Sequence, residues 1–289
     1  MIEVTKDILK QIYNKRDRES KKYDFGIILI IGGSEFYTGA PALSGLAAFR
    51  AGVDMVRIIA PKRAADIMAG FSPDLSAYAL EENHLTEKSL SLLLTMTESI
   101  KVTSRGAEAV VIGGGIGRSE LTQNAILKYL EQVTVPIVID ADAIYAIAKK
   151  PLVLKEKPFL ITPNLYEFFI LTGQRVEDFS IEQRAEIVYE KAKELQTTIL
   201  LKGSTDIISN GKEIAVSKIG SPYLTVGGAG DVLAGICGAL IAKGVPIFTA
   251  AQAGAYINSA VGQLLEKELG ESLTATDLIN NIFRIVNER

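Results

Sequence analysis

Short apolar runs recur along this chain, each closed by a glycine-rich or polar turn and followed by a stretch with helical spacing. Residues 25–31 (Phe-Gly-Ile-Ile-Leu-Ile-Ile) are apolar without a polar break. That is the pattern of a parallel strand buried on both faces. Further strands are expected over 53–60, 109–112, 135–139, 159–161 and 198–201. Between them, apolar residues at helical spacing predict helices over 40–51, 86–100, 120–132 and 181–194. A short helix precedes Pro151, and two longer ones close the chain over 248–269 and 274–286. Asn210-Gly211 between two apolar runs predicts a hairpin over 207–217. Residues 1–24 read as a mostly helical surface arm with a basic patch of Lys15, Arg16, Arg18, Lys21 and Lys22, and 67–80 as a connecting segment.

Strands alternating with helices indicate an α/β protein with a mainly parallel central sheet flanked by helices. No linker or composition shift divides residues 1–289, so one domain is expected. The turns after the strands carry the polar chemistry. Gly32-Gly33-Ser34, Gly113 to Gly117, Asp140 with Asp142, Asn164 with Glu167, and Lys202-Gly203-Ser204 each follow a strand. Ligands of open α/β sheets bind outside the carboxyl ends of the strands, so these turns are expected to meet at one edge.

One stretch stands apart. Gly227-Gly228-Ala229-Gly230-Asp231 opens directly into an apolar helix within 225–244. Glycine lets the backbone turn tightly and approach a ligand, and a helix N-terminus offers unpaired amides and partial positive charge. Together they suit a phosphate. Asp231 at that mouth reads either as a helix cap or as a general base beside a transferring phosphoryl group.

Composition narrows the chemistry. The net charge of -3 argues against nonspecific nucleic-acid binding. No apolar run approaches a membrane span, and the N-terminus lacks the apolar core of a signal peptide. The lone Cys237 makes no internal disulfide, which fits a reducing, cytoplasmic setting. The lone His84 excludes a two-histidine metal site. Carboxylates, lysines, backbone amides and a hard metal ion remain. Asn164 and Glu167 lie on one side of a helix start, where they either hold the water shell of Mg²⁺ or form a reciprocal helix cap. Lys202, Gly203, Ser204, Thr205 and Asp206 offer a cation, bare backbone and hydroxyls, suited to a nucleotide phosphate or ribose. Neither a P-loop nor a Rossmann fingerprint is present.

Several motifs then match a family. These are Gly32 to Pro41 (Gly-Gly-Ser-Glu-Phe-Tyr-Thr-Gly-Ala-Pro), Ala48-Phe-Arg-Ala-Gly52, Ile112-Gly-Gly-Gly-Ile-Gly117, Asp140-Ala-Asp-Ala143, Thr162-Pro-Asn-Leu-Tyr-Glu167, Lys202-Gly-Ser204 and Gly227 to Gly235. The chain resembles the ADP/ATP-dependent NAD(P)H-hydrate dehydratases of the ribokinase-like superfamily. The resemblance implies repair of hydrated NADH and NADPH: a nucleotide phosphorylates the ring hydroxyl, and loss of phosphate restores the ring double bond. It implies Asp231 as base, with the amides of Gly228, Ala229 and Gly230 around the phosphoryl group. Ala40, Gly117, Asn164 and Asp231 would bind the hydrate. The Lys202–Asp206 turn and Gly230 would bind ADP, as in most prokaryotic members, or ATP. Asn164 stands where the family usually carries His, and Thr-Pro-Asn-x-x-Glu also occurs in vitamin-precursor kinases of the superfamily. A kinase acting on a hydroxymethyl-pyrimidine-like or sugar-like alcohol is therefore the alternative. The family's epimerase, often fused upstream, is expected as a separate protein, and assembly as a homodimer or homotetramer is expected.

Overall fold

Ile27, Leu29 and Ile31 enter one core and Ile28 and Ile30 the other, and none is more than 2% exposed. A strand with no solvent face has no polar position to alternate, which is why this run is apolar throughout. The computed structural model describes residues 1–288. The strands are β1 (Ile2–Glu3), β2 (Ile27–Ile31), β3 (Met55–Pro61), β4 (Ser76–Leu80), β5 (Glu108–Ile112), β6 (Ile137–Ile139), β7 (Phe159–Ile161), β8 (Thr198–Leu201), β9 (Asp206–Ser209) and β10 (Ile214–Ser217). The helices are α1 (Ile8–Ile12), α2 (Ala40–Arg50), α3 (Lys62–Ala69), α4 (Leu90–Thr103), α5 (Glu120–Gln132), α6 (Asp142–Lys149), α7 (Leu165–Thr172), α8 (Ile181–Leu195), α9 (Ala229–Ala242), α10 (Ile247–Leu269) and α11 (Ala275–Val286).

All strands join one ten-stranded sheet in the order β1-β10-β9-β8-β7-β6-β5-β2-β3-β4. From β8 to β4 every neighbour is parallel. β9 runs antiparallel to β8 and to β10 in its hairpin, and β1, parallel to β10, closes the far edge. Helices α2, α9, α10 and α11 cover one face, and α4, α5, α6 and α8 the other. The sheet is thus mainly parallel and flanked by helices, as its pattern predicts. Among the described residues no helix is long and apolar enough to cross a membrane.

Two expectations fail. The first 24 residues are not mostly helical, because only Ile8–Ile12 forms a helix. Residues 14–22 contain no apolar side chain to build a helical face. Arg16 pins the segment instead, donating to Asp54 Oδ1 at 2.9 Å and to the Gly52 carbonyl at 2.7 Å. Residues 67–80 are more than a connection, for α3 ends and β4 forms within them. β4 is an edge strand of small and polar residues that pairs with β3, so it lacks the apolar signature of a central strand.

Candidate active site

Strands β8, β7, β6, β5 and β2 are consecutive neighbours in the sheet, so the turns at their carboxyl ends lie side by side. Local bonds stitch them together. Gly33 N–H donates to the Gly114 carbonyl at 2.8 Å, and Lys202 N–H to the Pro163 carbonyl at 2.8 Å. Asp140 Oδ1 accepts from Thr162 Oγ1 at 2.8 Å and from Lys202 Nζ at 2.7 Å. The Lys202 ammonium also lies 3.9 Å from Glu167 Oε2. Lys202 is therefore an internal cation of the strand-end cluster, not a solvated turn residue. Burial works against its charge, but Asp140, Glu167 and Asp231 outweigh that and hold its pKa above the ordinary lysine value.

α9 enters this edge from one side. Gly228 takes φ 94° as its N-cap, and no side chain caps the helix. Asp231, in the first turn, is thus not a cap. Ala229 N–H, expected to face a phosphoryl group, is instead taken by the Val226 carbonyl at 3.3 Å, which leaves the Gly228 and Gly230 amides with donor capacity among the described residues. A Cβ at Gly114 would collide with Asp231 Oδ1 and stand 3.3 Å from Ala40 Cβ, so only glycine lets this turn approach the carboxylate. Ser44 Oγ on α2 donates to the Asp231 carbonyl at 2.9 Å and fixes the turn from behind. Burial, and next the charge of Asp140, push the Asp231 pKa up to about 7, with Lys202 pulling the other way. A carboxylate so poised is suited to proton transfer near neutral pH.

The remaining sequence-predicted residues fall around this centre. Ala40 opens α2 beside Gly114. Gly117 is near, but its N–H is taken by Asp142 Oδ2 at 2.9 Å. Asp142 therefore braces the glycine turn. Asn164 and Glu167 form the reciprocal cap of α7: Glu167 N–H donates to Asn164 Oδ1 at 2.9 Å and Asn164 N–H to Glu167 Oε2 at 2.8 Å. Burial raises the Glu167 pKa, Lys202 opposes it and Asp140 reinforces it.

A cavity of about 660 Å³ opens beside the cluster, a volume in the range of small-ligand sites. Lys202, Gly203, Ser204, Asp206, Gly230 and Asn164 line it, whereas Thr205 does not. Burial pushes the Asp206 pKa up to about 6, against the Gly203 N–H that donates to it at 3.0 Å. Sequence reasoning missed the opposite wall, which includes Leu224, Leu233, Asn258 and Ser259. Asn258 is 7% exposed and its Oδ1 is buried with no hydrogen-bond partner. A buried amide left unpaired calls for a ligand or water partner. The signal was the polar pair Asn258-Ser259 between Ala-Tyr-Ile and Ala-Val in the middle of α10.

The sheet and its flanking helices define an α/β protein of the ribokinase-like fold, shared with solved members. A family profile described as NAD(P)H-hydrate dehydratase matches residues 28–284. The chain belongs to that family. It is 36% identical over 286 residues to the ADP-dependent (S)-NAD(P)H-hydrate dehydratase of Nitrosopumilus maritimus, covering 98% of this chain and 96% of that protein. It is 38% identical over 273 residues to the bifunctional NAD(P)H-hydrate repair enzyme of Pyrobaculum aerophilum, covering 94% of this chain but 52% of that protein. It thus spans about half the length of the bifunctional relatives and nearly all of the monofunctional ones. The crystal structure of the ADP/ATP-dependent NAD(P)H-hydrate dehydratase from Bacillus subtilis, co-crystallised with ATP and Mg²⁺, superposes with a TM-score of 0.82 at 26% identity, over 99% of this chain and 98% of that one.

Proposed function

We propose that this protein dehydrates hydrated NADH and NADPH at the expense of ADP, with ATP as the alternative donor, and so restores the reduced nicotinamide. The observation that carries this is Asp231: a largely buried carboxylate with its pKa pushed up to about 7, seated at an uncapped helix N-terminus beside the cavity. The Asp231 carboxylate takes the proton of the ring hydroxyl as that oxygen attacks the terminal phosphorus of the nucleotide. The bond to the departing AMP breaks as the new P–O bond forms. The amides of Gly228 and Gly230 meet the charge spread over the phosphoryl oxygens, while Ala229 N–H holds the Val226 carbonyl. The ring carbon–oxygen bond then breaks, phosphate leaves, the neighbouring carbon gives up a proton and the double bond returns. The products are NAD(P)H, AMP and phosphate.

Lys202 holds Asp140 in place and brings positive charge toward Gly230, where a Cβ would lie 3.4 Å from its Nζ. Asn258 supplies an amide to the nucleotide in the cavity. Among the described residues no three His, Cys, Asp or Glu side chains form a metal cage. The donors fit Mg²⁺ carried mainly by phosphate and water, and Glu167 and Asp140 are the residues that would hold it through its waters. Asn164 Oδ1 is committed to its cap. Bound there, Mg²⁺ would neutralise charge on the nucleotide phosphates. An epimerase acting on the same hydrates is the expected partner activity, in the cytoplasm, and self-assembly into a dimer or tetramer accompanies it. The kinase alternative loses its footing, because the helix cap accounts for Asn164.

The test mixes the protein, Mg²⁺ and NADH hydrate with ADP or ATP and follows the recovery of reduced-nicotinamide absorbance. Recovery that needs nucleotide and falls about 100- to 10,000-fold in Asp231→Asn is expected. No recovery with either nucleotide refutes the assignment.

A further inference from the structure

Arg118 ends the glycine turn after β5 and precedes α5. Its Nε donates to Asp142 Oδ1 at 2.6 Å, and its guanidinium carbon stands 3.8 Å over the Tyr145 ring. Asp142 is itself held by the Gly117 N–H at 2.9 Å. The cation is thus fixed along one edge and across one face. Its side chain is nonetheless 54% exposed, and its Nη groups donate to no other atom of the described residues. An arginine fixed in this way presents a planar fork of N–H donors in advance of any ligand, and that fork matches phosphate oxygens.

Its place along the site gives the fork a purpose. Gly114 lies against Asp231, and Gly115 lies against Tyr37 and Ala40. Gly117 and Arg118 follow. The turn therefore runs outward from the reacting centre, and the links from Gly114 to Arg118 reach at most about 14 Å. A dinucleotide with its nicotinamide ring at Asp231 lays its ribose along this turn and its phosphates at the Arg118 end. Glu167 is the nearby acidic group, but Lys202 engages it at 3.9 Å.

We propose, resting on the dehydratase reading above, that Arg118 is a substrate-positioning residue whose free Nη edge binds phosphate oxygens of the hydrated dinucleotide. The diphosphate bridge and the 2′-phosphate present the same chemistry, and comparing substrates tells them apart.

The experiment compares wild type, Arg118→Ala and Arg118→Lys with NADH hydrate and NADPH hydrate, and measures KM and kcat for each, KM for ADP and the thermal midpoint. Loss of a bidentate phosphate contact raises the hydrate KM about tenfold with kcat within about twofold, and Lys restores part of it. A rise with both hydrates assigns the diphosphate, and a rise with NADPH hydrate alone assigns the 2′-phosphate. Unchanged KM for both overturns the proposal. So does a rise in the ADP KM matching that for the hydrate together with a lowered midpoint, which would make Arg118 only a clamp on the turn. NADPH binding, followed by nicotinamide fluorescence, separates this proposal from the reaction. If wild type turns over no hydrate yet binds NADPH about tenfold more tightly than Arg118→Ala, the reaction is wrong and the anchor stands. If wild type turns over hydrate and both proteins bind NADPH alike, the anchor is wrong and the reaction stands.

Discussion

Asp231 is useful to the reaction because it is costly to the fold. The folded protein holds its proton to about pH 7, whereas an ordinary aspartate releases it near 3.8. The stability tied to this group is therefore full below about pH 4 and is lost as pH rises through about 7. Asp206, pushed up to about 6, acts in the same direction. Asp231→Asn is thus expected to gain stability over wild type at pH 8, on the order of a few kcal/mol, and almost none at pH 4. Thermal melts at the two pH values check this, while the same variant loses turnover. For the wild type, kcat/KM is expected to rise from pH 6 to 8 as the base is freed. Asn258 behaves differently. Replacing it with Leu removes a buried orphan acceptor, so stability holds or improves while KM for ADP rises about tenfold; steady-state kinetics beside a melt separates the two. The place of Asp231 was legible in the sequence because Gly-Gly-Ala-Gly before an apolar run marks a helix start, whereas cap and base read alike until the helix is seen to have no side-chain cap. Asn258 was not, because one of several polar residues in α10 gains meaning only once it is seen to share a cavity with the Lys202 turn.

At the scale of elements, the site depends on how closely α9 packs on α2. A Cβ at Gly235 would collide with the Ser44 carbonyl, and one at Gly238 with Val111 and Ile28. Gly235→Ala must separate the helices, and overpacking of this kind costs about 1–3 kcal/mol. Because Ser44 also holds the Asp231 carbonyl, the same change lowers kcat, which denaturation and kinetics together would reveal. Gly114→Ala makes the contrast. Its Cβ meets the Asp231 carboxylate rather than the core, so turnover is expected to collapse with little change in melting temperature. Strand-end turns and several helix starts were legible because glycine, Ser, Thr and Asn mark them locally, whereas α3, which begins after Pro61 without a side-chain cap, was not. The β4 edge strand and the extended arm were not. Ser76-Ala-Tyr-Ala79 carries no run of apolar positions, and what defines it is β3 alongside.

For the whole molecule, the class of sheet was legible but its strand order was not. Nothing local to Ile2–Glu3 announces that it pairs with β10 at the far end of the chain, nor that β2 lies between β3 and β5. These long-range pairings put the cavity where distant parts of the chain meet: the β8–β9 turn, the loop before α9, α9 itself and α10. A nucleotide that fills it contacts segments on both sides of the site, so binding is linked to global unfolding and not only to loop order. At ADP about 100-fold above its dissociation constant the gain is about 2.7 kcal/mol, which for a chain of this size raises the melting midpoint by about 4–5 °C. The rise is expected with ADP and Mg²⁺, to shrink when the metal is chelated, and to be weaker with GDP, whose base offers a carbonyl where adenine offers an amino group to the Asn258 acceptor. In Asn258→Leu the gap between ADP and GDP should close while wild type keeps it. Equal shifts with ADP and GDP in the wild type would mean that the base lies outside the cavity walled by α10, and that the Lys202 turn holds only the phosphates.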